Sequence, residues 1–201
     1  MPYRNRDRVS LSPGEKILWN GKPKWSAFFV TKSFTMLPFA VLWLMLDMKS
    51  LVSLSKSGSL SLVNILFYAL HLTPVWIWLG NVLTAGVRYK NTAYYLTNKR
   101  IIIQDGVWSV NETSLYYREI RNTHVKVDFI DKLFGVGDVC FDSDHYDAKG
   151  RTIKYVFEEL KWPYDEYERI QRIVFNIKTD VEYPNALRPS ENPGYNTDYK
   201  E

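Results

Sequence analysis

The stretch YYLTNKRIIIQDG, residues 94–106, decides the fold of this chain. Aromatic and leucine side chains fill its first part, Tyr94–Leu96, and consecutive isoleucines fill Ile101–Ile103. Residues of these types favour strands, whereas the polar residues between the two runs, and Gly106 after them, favour turns. The stretch therefore predicts a β-hairpin followed by a second turn.

Further strand-like runs follow at short intervals, at Val107–Trp108, Ser114–Tyr117, His124–Phe129, Asp138–Phe141 and Ile153–Phe157. After Pro163 the apolar residues recur at helical spacing, which predicts an amphipathic helix. Such a helix can cover the open end of a curved antiparallel sheet. We expect a cytoplasmic domain over residues 89–180. Residues 181–201, which contain three prolines and many polar residues, predict a flexible tail.

The order and spacing of these residues match a known family. The pattern comprises Tyr95-Leu96-Thr97-x-x-Arg100-Ile101-Ile102-Ile103-x-x-Gly106, then Ile120, then Leu133-Phe134-Gly135-x-Gly137-x-Val139. It resembles the bacterial pleckstrin-homology (PH) type 2 domain, and Pro13-Gly14-Glu15 with Trp25 resembles the region before the paired membrane helices of such proteins. The resemblance implies a membrane-anchored α+β protein. It further implies a PH-like, two-sheet split β-barrel of about seven antiparallel strands with a C-terminal capping helix, and it does not imply an enzyme.

The distribution of charge predicts a two-helix transmembrane hairpin over residues 27–87. Only three charged residues lie between Ser33 and Val87, and Ser57–Val87 has none. About 20 apolar residues are enough to cross the hydrocarbon of a bilayer. We expect helices at about 27–47 and 60–83. The link Asp47–Ser59, rich in Ser, Lys and Gly, predicts a short external loop.

The basic residues predict the orientation of this hairpin. Seven of them lie in residues 1–32, and more follow Val87, while the link between the helices offers only Lys49 and Lys56. Because cytoplasmic flanks carry the excess of Lys and Arg, we expect a multi-pass protein of the bacterial inner membrane with both termini in the cytoplasm. Residues 1–26 would then form a basic juxtamembrane segment.

Composition argues against several classes of function. Residues 88–162 hold twelve basic and eleven acidic residues, which leaves no excess charge for a nucleic-acid backbone. Cys140 is the only cysteine, so neither an internal disulfide nor a paired-cysteine metal site can form. No nucleotide-binding loop, zinc-protease motif or nucleophile elbow occurs. We predict no enzyme, no cofactor and no metal site.

Two sets of residues are candidates for binding. The first set consists of basic residues that could contact anionic lipid headgroups, namely Lys22, Lys24, Lys99, Arg100, Arg118 and Arg121. The second consists of Asn64 and His71, polar residues inside the second apolar run. A polar group in hydrocarbon needs a partner, so these two residues indicate either a proton or ion path or a contact between helices. With two helices per chain, we favour the contact.

The function predicted from the sequence is a non-catalytic, membrane-tethered interaction or scaffold module. Its partners would be membrane lipids together with other copies of itself or other membrane proteins. One alternative is a sensor of anionic lipid surfaces. Another alternative is a subunit of an oligomeric small channel or transporter. This alternative rests on Asn64 and His71, the polar residues of the second apolar run.

Overall fold

A computed structural model describes residues 9–58 and 61–182. The predicted tail from 183 onward, and residues 1–8 of the juxtamembrane segment, lie outside the described residues. A short 3-10 helix spans Tyr117–Glu119. In chain order the strands and longer helices are β1 (Ile17–Gly21), α1 (Trp25–Phe34), α2 (Leu37–Ser57), α3 (Leu62–His71), α4 (Thr73–Asn91), β2 (Ala93–Thr97), β3 (Arg100–Asp105), β4 (Asn111–Tyr116), β5 (Ile120–Lys126), α5 (Phe129–Phe134), β6 (Val136–Tyr146), β7 (Thr152–Lys161) and α6 (Pro163–Glu182).

The strands form two antiparallel sheets. One has the order β1-β2-β3-β4 and the other β5-β6-β7. The hairpin predicted from residues 94–106 is confirmed as β2 and β3, with Tyr94 opposite Ile103 and Leu96 opposite Ile101. The predicted domain of about seven antiparallel strands is present as two sheets of four and three strands, and within the described chain no strand of one sheet pairs with a strand of the other, so the barrel is not closed. The predicted C-terminal helix is present as α6.

The strand that the sequence did not predict is β1. It comes from the segment assigned to residues 1–26 and pairs with β2, with Gly21 opposite Tyr94 and Ile17 opposite Thr97. The sheet thus includes residues from before α1, outside the predicted range 89–180. Conversely, Val107–Trp108 is not a strand: it lies in the loop between β3 and β4, where Trp108 is 94% exposed.

The core lies between the two sheets and α6. Leu96 and Ile101 of the first sheet, with Phe141 and Phe157 of the second, are fully buried, and Ile170 of α6 packs against them. Apolar residues at i, i+4 and i+7 place Ile170, Val174 and Ile177 on one face of α6, as the sequence predicted. Burial of this stripe holds the helix across the sheets.

One helix within the described chain, Trp25–Ser57, is by itself long and apolar enough to cross a membrane. It combines α1 and α2, and its 33 residues extend about 50 Å at 1.5 Å per residue, whereas the hydrocarbon layer is about 30 Å thick. The helix is thus longer than the hydrocarbon layer is thick, and its first residues contact the folded domain. Ala27 and Phe28 of α1 are buried, and Lys32 pairs with Glu158 of β7 at 2.7 Å. The first turns of this helix therefore belong to the folded domain.

The second apolar run is a bent pair of helices. α3 and α4 meet at 61°, and together they pass the same test of length and composition. Pro74 stands in the first turn of α4, where its missing N–H costs no hydrogen bond. The predicted loop Asp47–Ser59 is also corrected, because α2 continues to Ser57 and ends at Gly58 in the left-handed conformation that glycine favours.

Candidate functional site

A cleft of about 900 Å³ opens where the two sheets, α6 and the helices α1 and α4 meet. We call it the junctional cleft. Its walls come from β1, the turn before α1, the last turns of α4, the corner between β7 and α6, and the first turns of α6. The side chains that give it its chemical character are Lys22, Lys24, Trp25, Tyr89, Lys161, Trp162, Glu166 and Arg169.

The charge of the junctional cleft is mainly positive. Three of its four basic residues, Lys22, Lys161 and Arg169, are exposed and form no ion pair within the described residues. Lys24 is half-buried, and its Nζ donates to the carbonyl oxygen of Phe134 at 2.7 Å. The carboxylate of Glu166 accepts a hydrogen bond from the indole Nε1 of Trp19 at 2.8 Å. Three cations of the cleft are thus exposed and have no ion-pair partner in the part of the chain that the structure describes.

Aromatic side chains line the side of the cleft next to the helices. The ring of Trp25 packs edge-on against the ring of Tyr89, with 4.9 Å between their centroids. Trp162 is exposed on the opposite wall. Tryptophan and tyrosine beside lysine and arginine are typical of residues at a membrane–water interface. The cleft therefore suits an anionic group attached to an apolar body.

The corner between β7 and α6 positions Lys161 and Trp162. The backbone at Trp162 has a φ of 52° and that at Glu159 a φ of 57°. These left-handed conformations are uncommon for residues with a side chain. The backbone N–H of Lys24 donates to the carbonyl oxygen of Glu159 at 2.8 Å, which joins the turn before α1 to this corner. The two walls of the cleft are therefore tied together.

Behind this corner lies a buried carboxyl group, that of Glu159. Its side chain is 3% exposed, and burial, reinforced by the nearby carboxylates of Asp131 and Asp138, raises its pKa to about 7. Burial also raises the pKa of Asp138, whose carboxylate accepts the backbone N–H of Glu159 at 2.9 Å. No group of three or more His, Cys, Asp or Glu within the described chain is arranged to hold a metal ion.

Lys99 and Arg100, predicted as lipid contacts, do not line the cleft and lie at the turn between β2 and β3. That turn is separated from α4 by the length of β2, about 17 Å at 3.3–3.4 Å per residue. The Nε of Arg100 donates to Glu15 at 3.0 Å, and the Nζ of Lys99 donates to Pro13 at 2.9 Å. Burial alone would raise the pKa of Glu15, but the hydrogen bonds from Arg100, Ser12 and Thr97 together lower it. Arg100 therefore acts in the structure as a partner of Glu15.

The other predicted basic residues divide between two places. Lys22 and Lys24 line the junctional cleft. Arg118 lies over the ring of Tyr116, 5.9 Å from its centroid, and Arg121 donates to the hydroxyl of Tyr146 at 2.7 Å. The six candidates thus do not converge on one site.

His71 and Asn64 both lie on α3 but have different surroundings. The Nε2 of His71 is 3.3 Å from a carboxylate oxygen of Asp47 on α2, and the indole Nε1 of Trp43 donates to the carbonyl oxygen of His71 at 2.8 Å. Asn64 lies in the first turn of α3, where its backbone N–H donates to Ser61. Asp47, predicted to start a loop, is thus helical and lies beside His71.

Comparison with known proteins identifies the family. The model of the bacterial PH domain matches residues 37–177, which is more than two thirds of the chain. The chain belongs to the bacterial PH domain family. The predicted family is therefore confirmed, and the match includes α2, α3 and α4 as well as most of the sheets. No curated protein and no solved structure matches the chain. PH domains are in general interaction modules without enzymatic activity.

Sequence reasoning found two of the four basic residues of the cleft and missed Lys161 and Arg169. A signal was present, since Lys161-Trp162-Pro163 combines a cation, an interfacial aromatic residue and a helix start. However, residues 22–25 and 161–169 are brought together only by the packing of β1 and α1 against β7 and α6. That packing cannot be derived from local spacing.

Proposed function

We propose that this bacterial PH domain protein is a non-catalytic module tethered to the bacterial inner membrane, which binds anionic lipid headgroups in its junctional cleft. In this proposal the helix Trp25–Ser57 and the bent pair α3–α4 each cross the bilayer. Both termini and the folded domain then lie on the cytoplasmic side. The partner chemistry is a phosphate group on a lipid.

The pairing of β1 with β2 supports the tether. β1 leads into α1, and β2 follows directly from α4, so the segment that contains α1, α2, α3 and α4 begins and ends at neighbouring strands of one sheet. Because α1 and α4 pack against each other at Trp25 and Tyr89, both ends of this segment are fixed to the domain. A domain held in this way would lie against the bilayer surface.

The position of three unpaired cations carries the proposal of lipid binding. Lys22, Lys161 and Arg169 surround a cleft whose inner wall is made by the ends of the proposed membrane helices. A basic residue near an anionic surface gains about 1 kcal/mol, and charge-assisted hydrogen bonds to phosphate oxygens add direction. This geometry favours the lipid-binding alternative over a purely protein-binding module.

The test uses the full-length protein in a neutral detergent, titrated by calorimetry with short-chain phosphatidylglycerol, short-chain phosphatidylcholine and inorganic phosphate. We expect phosphatidylglycerol to bind several-fold more tightly than phosphatidylcholine. The triple variant Lys22→Ala/Lys161→Ala/Arg169→Ala should lose that preference. Competition by inorganic phosphate at similar concentrations would identify free phosphate, and not a lipid, as the ligand, and would overturn the proposal.

A matched control removes the same charge elsewhere. The variant Lys149→Ala/Arg151→Ala/Arg172→Ala also loses three positive charges, from exposed positions outside the cleft. We expect it to keep the preference for phosphatidylglycerol. If both triple variants lose the preference equally, net charge explains the binding and the proposed site is wrong.

Self-association of the tethered protein stays a prediction from the sequence. The outer faces of α2 and α3 expose large apolar side chains such as Leu46 and Leu62, which either lipid or a second copy could cover. The absolute mass of the protein in mild detergent at several concentrations tests it. A defined oligomer would support self-association, and a monomer at all concentrations would exclude it for the isolated protein.

A further inference from the structure

Four large apolar side chains of the domain are exposed next to the helices α1 and α4. Three belong to the short helix α5, where Phe129 is 86%, Ile130 41% and Leu133 78% exposed. The fourth is Trp108 in the loop between β3 and β4, at 94%. We call these four residues the apolar rim. A contiguous exposed apolar patch, such as that of the three α5 residues, marks a surface that contacts a protein or a membrane.

Helix α5 holds its part of the apolar rim beside α1. The helix contacts α1, and the carbonyl oxygen of its last residue, Phe134, accepts the Nζ of Lys24 at 2.7 Å. Asp131 is 5% exposed and points inward, where its carboxylate accepts the backbone N–H of Asp128 at 2.8 Å. Residues four apart on a helix share one face. Phe129 and Leu133 therefore lie together on the outer face.

The loop that carries Trp108 is fixed beside α4. The side-chain amide of Asn91, the last residue of α4, donates to the carbonyl oxygens of Gly106 at 3.3 Å and of Val107 at 3.2 Å. Gly106 has a φ of 138°, and a Cβ there would lie 1.9 Å from the backbone oxygen of Ser109. Only glycine fits this turn. The loop therefore presents Trp108 next to the point where α4 enters the sheet.

We propose that the apolar rim inserts into the interfacial layer of the same bilayer that the helices cross. This inference rests on the proposed membrane tether and adds a second mode of contact, by which the domain itself touches lipid. The rim is continuous with the helix ends, since Lys24 bonds to Phe134, which follows Leu133, and Asn91 at the end of α4 bonds to Val107, which precedes Trp108. A lipid surface is the occupant that this continuity favours.

The residues around the apolar rim have the chemistry of an interface. Lys132 is exposed within α5, and Lys24, Lys161 and Trp162 line a second, smaller cleft beside α5. A mixture of Phe, Leu and Trp with Lys is what interfacial segments use, because apolar side chains enter the acyl boundary while the amines remain at the headgroups. Insertion at two points would fix the angle of the domain to the membrane.

The experiment places an environment-sensitive nitrobenzoxadiazole label on single cysteines of the full-length protein in lipid nanodiscs. The background is Cys140→Ala, and the labelled variants are Trp108→Cys, Phe129→Cys and Leu133→Cys.

Lys99→Cys, at the far end of β2, is the control that should remain in water. Leu83→Cys, an exposed position of α4, reports on the tether itself. Quenching by lipids with a nitroxide near the headgroup is compared with quenching by a soluble nitroxide.

We expect the three rim positions to be quenched several-fold more by the lipid nitroxide than Lys99→Cys, and less by the soluble nitroxide. If Leu83→Cys is quenched by lipid but the rim positions behave like Lys99→Cys, the apolar rim does not insert and this inference is wrong, while the tether stands. If Leu83→Cys also behaves as a water-exposed position, the proposed tether itself fails. The unlabelled variants are compared with the parent by circular dichroism, and a variant that does not fold is replaced by labelling at Ile130→Cys.

Discussion

Arg100 and Glu15 form an ion pair at 3.0 Å although they are 85 residues apart in the sequence. The carboxylate of Glu15 is fully buried and also accepts the hydroxyl of Thr97 at 2.7 Å. The pair joins the turn before β1 to the turn between β2 and β3. It therefore holds together the two chain segments that lie on either side of the proposed membrane helices.

Loss of this pair should destabilise the domain. In Glu15→Ala the guanidinium of Arg100, which is 16% exposed, would lose its carboxylate partner. We expect a loss of about 3 kcal/mol in the free energy of unfolding, since removal of one member of a buried pair leaves the other uncompensated. Denaturant unfolding in detergent, followed by tryptophan fluorescence, measures this.

The control for this variant is Glu168→Ala, which removes the exposed i,i+4 pair with Arg172. An exposed pair of this kind contributes under about 0.5 kcal/mol. Equal effects of the two substitutions would show that the Glu15–Arg100 pair has no special part in holding β1 to the sheet.

Glu159 should make stability depend on pH. Its folded pKa of about 7 lies above the ordinary 4.5, so the folded state binds its proton more tightly than the unfolded state. Stability from this group is fully present below about pH 4.5 and is lost as pH rises through about 7. Glu159→Gln should therefore be more stable than the parent at pH 8, by about 3 kcal/mol at most.

The measurement is thermal unfolding of Glu159→Gln and the parent between pH 5 and pH 8. Glutamine keeps the length of the side chain at a position with a φ of 57°, so backbone strain is the same in both proteins. Parallel stability curves for the two proteins would show that Glu159 has no raised pKa.

Asp47 and His71 should contribute to the packing of α2 against α3. Their closest atoms are 3.3 Å apart, and the ring of His71 stacks on Phe67 with 5.0 Å between centroids. A double-mutant cycle with Asp47→Asn and His71→Ala should give a coupling of about 0.6 kcal/mol and at most about 1.7 kcal/mol, the average and the maximum for polar contacts between membrane helices. A coupling near zero, together with altered ion flux in His71→Ala, would favour the channel alternative.

The elements that could be predicted from the sequence are those whose signals are local. The hairpin of β2 and β3 needs only a short turn between two strand-like runs, and the stripe of Ile170, Val174 and Ile177 needs only helical spacing. β1 was missed because Ile17 pairs with Thr97, eighty residues later in the chain. With four intervening helices, no local pattern indicates that pairing.

The basic residues of the candidate site could likewise be predicted only where their signal is local. Lys22 and Lys24 could be identified because they lie next to the first apolar run, where a basic cluster is expected. Arg100 was predicted as a lipid contact because the sequence shows its charge. The sequence does not show that Glu15 lies beside Arg100 in the fold. Lys161 and Arg169 lie on either side of the corner at Trp162, whose left-handed backbone is not indicated by the sequence.

The most direct test of the membrane tether is the topology of single cysteines in sealed inner-membrane vesicles. In a Cys140→Ala background, Ser57→Cys marks the end of α2 and Lys149→Cys marks the turn between β6 and β7. A membrane-impermeant maleimide should label Lys149→Cys only in inside-out vesicles and Ser57→Cys only in right-side-out vesicles. Labelling of both positions from the same side would contradict the proposal that the helix Trp25–Ser57 crosses the bilayer.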